Sequence, residues 1–250
     1  MKKMRRFVGA QVFGFISFLL LWQLICLALD IRVIPTPAET IKQMLAEPRE
    51  LVLHAGASVL RVMAAIAVSL AIAVPAGLLL GGNKWFRTLV SPFVYFIYPI
   101  PKVAFLPVFM LLFGLGNVSK IILMIWIIMF QIMLSVRDGV DSIPGLYFQV
   151  MKGFRASSWQ TYRYLVLPAV LPHMFTGLRI SIGISLASLF FAENYATTYG
   201  IGYYILSAWT KMNYPEMFGG ILTLGLVGLL LFKGLDALQR KCTPWTAKGR

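Results

Sequence analysis

An all-α polytopic membrane protein is the fold class this sequence predicts, and three observations carry it. The chain is 59% hydrophobic and 13% charged over 250 residues, with mean hydropathy +0.79. Soluble domains carry about 45–50% apolar and about 25% charged residues, so in water this chain would leave large apolar patches exposed. Its apolar residues fall into about six runs, near the roughly 20 residues a bilayer requires or somewhat short of it. Its cations are divided unevenly between the segments joining those runs. A single transmembrane domain over residues 1–250 accommodates all three.

The first run, Val12 to Leu29, is uncharged. It is long for the apolar core of a leader and no small-x-small cleavage pattern precedes Asp30, so it is expected to remain as a helix. Ile34-Pro35-Thr36-Pro37 then punctuates the chain. Val62 to Gly82 is a second uncharged run ending in a glycine pair. Leu89 to Val118 is apolar apart from Lys102, but Pro92, Pro99, Pro101 and Pro107 interrupt it, so the third span is expected to be broken. Ile121 to Val136 follows a very short turn. Roughly Pro172 to Tyr195 makes a fifth span, and Met217 to Leu238 a sixth. Gly77-Leu78-Leu79-Leu80-Gly81 is a GxxxG that lets helices approach closely, within one chain or between two. Gly183 and Ala187 repeat that spacing.

Orientation follows from Lys and Arg counts. With the N-terminus inside, all but seven of the 23 cations fall on internal segments, the exceptions being Arg32, Lys42, Arg49, Arg61, Lys102, Lys120 and Lys211. Both termini and the segment Asp138 to Leu171 are therefore expected in the cytoplasm. The same distribution accounts for the net charge of +14 without nucleic acid. Cys26 and Cys242 fall on different sides of the bilayer and form no disulfide framework. His173 has no partner at metal-ligand spacing. Gly77 to Gly82 has the glycine spacing of a phosphate loop but continues Asn83-Lys84 in an apolar context, so it is not one. With no Ser/His/Asp or Cys/His set either, an energy source would lie in another chain.

Between Asp138 and Leu171 the chain leaves the membrane, and Pro144-Gly145 marks a turn. At about 100° per residue, Leu146, Val150 and Phe154, with Tyr147 and Met151, cover one helical face, while Gln149, Lys152 and Arg155 lie elsewhere. A short helix over Phe148 to Ser158 with this stripe suits a groove on a partner protein or the surface of anionic lipid. The residues leave both open.

The end of this loop, Leu165-Val166-Leu167-Pro168 followed by Pro172, resembles the second half of the EAA loop of ABC-importer permease subunits. Aligning Leu167-Pro168 with the end of that pattern puts the Glu-Ala-Ala positions at Gln149-Val150-Met151 and the family's Gly at Arg155; Gly153 is the residue expected to supply the turn instead. Further matches resemble permeases of the nitrate/sulfonate/taurine type. They are Leu167-Pro168-Ala169-Val170-Leu171-Pro172 with Phe175-Thr176-Gly177-Leu178-Arg179, the Pro-x-Pro at Pro35-Thr36-Pro37, and Pro99-Ile100-Pro101-Lys102-Val103-Ala104-Phe105-Leu106-Pro107. Phe113-Gly114-Leu115-Gly116 with Lys120, and Gly200-Ile201-Gly202-Tyr203, complete the series in order along nearly the whole chain.

That resemblance implies a type I ABC-importer permease fold in a bacterial inner membrane, importing a small, anionic solute of the sulfonate, nitrate or taurine kind. It implies that Gln149, Val150, Met151, Lys152, Gly153, Phe154, Arg155, Ala156 and Ser157 form the coupling element that docks on a separate ATPase. It also implies an external substrate-binding protein, a second permease copy, and ATP with Mg held by the ATPase, with no cofactor in this chain. A non-transporting membrane scaffold or sensor subunit is the competing class.

Four residues are candidates for the substrate pathway. Lys102, an ionisable group in a broken span, either faces a cavity or snorkels to the headgroups. Glu193, at the end of the fifth span, is either an ion-paired or hydrogen-bonded acid within the bundle or part of a gate. Asn194 and Tyr195 are polar candidates beside it. Arg179 and His173 read as interface anchors.

Overall fold

The computed structural model describes the backbone of residues 2–29 and 33–249, with side chains over 13–14, 16–29 and 33–246. Arg32 and Arg250, counted in the charge argument, and Asp30 lie outside the described residues, as do the side chains of Lys2, Lys3, Arg5, Arg6 and Lys248. The described chain is helical throughout: α1 (Lys2–Leu29), α2 (Pro37–Ala46), α3 (Pro48–Gly82), α4 (Lys84–Ile97), α5 (Leu106–Phe113), α6 (Asn117–Asp141), α7 (Gly145–Gly153), α8 (Ser158–Thr161), α9 (Leu167–Glu193), α10 (Ile201–Thr210) and α11 (Tyr214–Cys242). Such a chain satisfies its backbone polar groups within each segment, as a bilayer demands.

Four helical stretches are long and apolar enough to span: Pro48–Gly82, Asn117–Asp141, Ser158–Glu193 and Tyr214–Cys242. The third run is indeed broken. Lys84–Ile97 and Lys102–Phe113 meet at 88°, because Pro99 and Pro101 bring no N–H to continue the ladder. Counted as one, the bent pair makes a fifth span, and α1, whose described apolar part is the shorter Ile16–Leu29, supplies the remaining apolar helix.

The second and fifth spans outrun their apolar windows. α3 starts at Pro48, where proline is suited to the first turn and Glu50 complements the positive end of the helix dipole. Its His54, Ser58 and Arg61 share the inward face with Val62 and Ala65. Before α9, Tyr162–Val166 forms a π turn immediately ahead of Pro168, which lacks a donor. Pro75 and Pro172 are carried inside long helices, as bundled membrane helices allow.

α6 is the centre of the bundle. Leu123, Met124, Ile128, Ile132, Met133 and Val136 are buried, and α6 packs most extensively on α3 and α9. The GxxxG belongs to this packing. Gly77 lies against Met133 and Val136, and Gly81 against Val140, so the close approach is within one chain. At α1, the Trp22 indole N–H donates to Pro35 O (3.0 Å) and the Cys26 thiol to the same carbonyl (3.3 Å), while Trp22 stacks on Phe218 of α11. Thr36 and Glu39 form a reciprocal cap on α2, and the Thr36 backbone N–H holds the Glu39 carboxyl below its usual range.

Candidate functional site

The bundle has two polar ends. One carries α7, α8 and the ion pair Arg87–Asp141 (2.5 Å); the other carries Glu193 and the loop that follows it.

At the first end, α7 covers Gln149 through Gly153 and stops there, shorter than the Phe148 to Ser158 helix expected. Phe154 caps it, its N–H donating to Val150 O (3.1 Å). The turn is made by Arg155, whose φ of +51° places it in the left-handed region; Gly153 is an ordinary helical residue. The expected rescue by Gly153 is therefore wrong, and the position aligned with the family's Gly is the one whose backbone favours glycine. Ala156 returns its N–H to Met151 O (3.0 Å). Ser157 and Gln160 cap α8 reciprocally, which gives Ser157 a local structural role.

The apolar stripe lies in the open. Leu146, Tyr147 and Val150 are exposed and Phe154 is 82% exposed, whereas Phe148 turns inward against the core. Behind this loop, Gly81, Gly82, Asp141, Lys152, Ala156 and Tyr162 are among the residues around a cavity of about 540 Å³. Of the two interface anchors expected, Arg179 is ion-paired with Asp236 on α11, and His173 Nε2 lies 3.3 Å from Ser142 Oγ.

At the opposite end Glu193 is 1% exposed and fully engaged. Its carboxylate accepts from Ser58 Oγ (2.8 and 2.9 Å), from the Arg61 guanidinium in a very short contact, and from Gly202 N–H (2.9 Å). Arg61 also donates to Asn117 Oδ1 (2.9 Å) and Tyr199 O (2.6 Å). Ser58 Oγ accepts from Ile201 N–H (2.9 Å), and His54 Nδ1 from Gly200 N–H (3.0 Å). Lys120, also 1% exposed, donates to the carbonyls of Leu115, Gly116 and Ala196. Two buried cations thus face one buried carboxylate, and the surplus charge rests on backbone carbonyls.

The Gly-x-Gly at Gly200 and Gly202 is a consequence of this knot. A Cβ on Gly200 would fall 2.5–2.6 Å from both Glu193 oxygens, and one on Gly202 would fall 2.6 Å from Phe190 O. Oriented to donate, the Asn194 amide reaches Gly202 O (3.0 Å) and Phe190 O (3.2 Å), so it fastens the same loop. Tyr195 is exposed. Of the two readings of Glu193, the geometry is that of a paired acid inside the bundle.

Sequence reasoning missed His54, Ser58 and Arg61. Their signal was present: spacing of i, i+4 and i+7 puts three polar groups on one face of a helix that continues into an apolar run. An open groove of about 620 Å³ runs past Arg61, Asn117, Thr197 and Thr198.

Lys102 lies apart from Glu193, in the break between α4 and α5. Its ammonium donates to Tyr98 O (2.7 Å) and sits 4.9 Å from the Tyr98 ring centroid. Tyr98 OH reaches Gln131 Oε1 (3.2 Å) on α6. The four pathway candidates are therefore brought together in two places, Glu193, Asn194 and Tyr195 at one and Lys102 at the other. No cluster of His, Cys, Asp or Glu suited to a metal occurs among the described residues.

Comparison with known proteins bears on the family and the fold. The family described as "Binding-protein-dependent transport system inner membrane component" matches residues 73–248. The taurine transport system permease protein TauC of Escherichia coli (strain K12) is 33% identical over 192 residues, 77% of this chain and 70% of that one. The bicarbonate transport system permease protein CmpB of Synechocystis sp. (strain ATCC 27184 / PCC 6803 / Kazusa) is 27% identical over 257 residues, 97% and 91% of the two chains. A chain of the MetNI methionine ABC transporter, solved in inward-facing conformations, superposes with a TM-score of 0.63 over 75% of this chain and 93% of that one. At 20% identity this shows the shared fold.

Proposed function

The chain belongs to the family of binding-protein-dependent transport system inner membrane components, and on that premise we propose how its parts divide the work of import. It is the membrane-spanning permease of an ABC importer. Its solute is a small anion of the sulfonate or bicarbonate class, a reading supported by what its relatives are named for and by the ammonium of Lys102 in a broken span. Both termini and the 138–171 loop face the cytoplasm, an orientation that the Lys and Arg distribution supports. Residues 149–157 dock on a separate ATPase that holds ATP and Mg. A binding protein delivers solute to the Glu193 end, and a second copy of this chain completes the pathway.

The observation that carries this reading is the exposed apolar face of α7 with Phe154, held out from the bundle on a capped turn. An apolar side chain gains roughly 1.5–3 kcal/mol on full burial, whereas an exposed ion pair gives about 0–1 kcal/mol. Phe154→Ala should therefore weaken recovery of the ATPase from detergent extracts more than Lys152→Ala does. Arg155→Gly should keep docking intact and raise thermal stability by about 1 kcal/mol, because it relieves a left-handed arginine. Undiminished recovery with Phe154→Ala would reject the stripe as the docking surface.

Orientation has its own test. In a background lacking Cys26 and Cys242, an impermeant thiol reagent outside the cell should label Thr198→Cys and leave Ser158→Cys unreacted. The reverse pattern would invert the topology.

A further inference from the structure

The break in the third span opens onto a cavity of about 270 Å³ whose lining includes Tyr98, Lys102, Phe130, Gln131, Ile184 and Ser188. Three elements meet there: the α4–α5 break, the middle of α6 and the second half of α9. The polar groups they bring are of one kind. The Lys102 ammonium has three N–H donors and spends one on Tyr98 O. The Gln131 amide uses its oxygen to accept from Tyr98 OH, and its two N–H groups make no hydrogen bond to another described residue. Ser188, 3% exposed, likewise makes none through its hydroxyl among the described residues. No carboxylate is among the described lining, and the rest of the wall is Ile, Val, Pro and Phe.

We infer that this cavity is an oxyanion station, in which Lys102, Gln131 and Ser188 together hold the sulfonate or carboxylate-like group of the solute as it crosses. The inference rests on the permease reading above and adds Gln131 and Ser188 as residues that set specificity. A tetrahedral or planar oxyanion offers several acceptors at once, which matches donors brought to one apolar-walled cavity by the α4–α5 break, α6 and α9.

The test uses the full chain in native membranes with its partners, in a background of Cys26→Ser and Cys242→Ser. Ser188→Cys is exposed to two methanethiosulfonates of similar size, one ending in a sulfonate and one in a quaternary ammonium. The sulfonate should react at least about tenfold faster, the scale on which an opposite charge within ~4–6 Å favours an ionised group. Lys102→Met should erase that preference and Lys102→Arg should keep it. Gln131→Cys is a second reporter, expected to give the same order of rates if Ser188→Cys folds poorly. Equal rates for the two reagents at both positions would overturn the oxyanion station while leaving the permease reading intact. No reaction at either position, with Thr198→Cys reacting normally, would overturn the station by removing the pathway through Lys102, and with it the support Lys102 lends to an anionic solute.

Discussion

Glu193→Leu should destroy most of the folded protein, with a loss of about 3–5 kcal/mol in stability. The reason is what remains after the carboxylate is gone. Arg61, only 6% exposed, keeps its charge and its bonds to Asn117 and Tyr199 but loses its counter-ion, while Lys120 remains as a second buried cation of the same knot. Ser58 Oγ and Gly202 N–H lose their acceptor in the same step. Thermal unfolding of the detergent-solubilised chain measures the loss. Adding Arg61→Met to Glu193→Leu should recover part of it, because the stranded charge is then removed. A double variant no better than the sum of the two single losses would show that lost packing, not an unpaired charge, is the cause. Glu193→Leu melting with the parent would refute the knot as a stabilising element.

Gly77→Leu should be comparably severe for a different physical reason. Even the first carbon of a side chain at Gly77 would sit 2.6 Å from Met133 O and 2.7 Å from Val136 Cβ. The first of these is backbone, so α3 and α6 must separate, and that pair is the most extensive contact in the bundle. Overpacking a core costs typically about 1–3 kcal/mol, and here a whole helix interface yields. Gly56 on the same helix is the control, since a Cβ there meets nothing within 4 Å. Gly56→Ala should be neutral or gain up to about 1 kcal/mol from helix propensity. Equal melting temperatures for Gly77→Leu and Gly56→Ala would remove the close α3–α6 approach from the account.

Much of this protein could be read without coordinates. The apolar runs located the helices, Pro99 and Pro101 located the break, and Lys102 stood out because an ammonium in an apolar run needs a reason. Where structure and sequence part, the cause is local. Charge places the start of the second uncharged run at Val62, yet Arg61 and His54 point inward to partners far along the chain. Gly153 is the glycine nearest the family's Gly position, but the left-handed φ of Arg155 makes that aligned position itself the turn.

The sequence by itself determined the class, the approximate spans and the family. Those depend on hydropathy and order along the chain, which transfer from water to lipid segment by segment. Tertiary structure decided which polar groups share a site. Glu193 meets Ser58 and Arg61 across more than a hundred residues, and Lys102 meets Gln131 and Ser188 only because α4 bends where it does. In a low-dielectric interior such groups are costly unless paired, so their partners are fixed by packing geometry, and no periodicity within one helix records which helix will supply them.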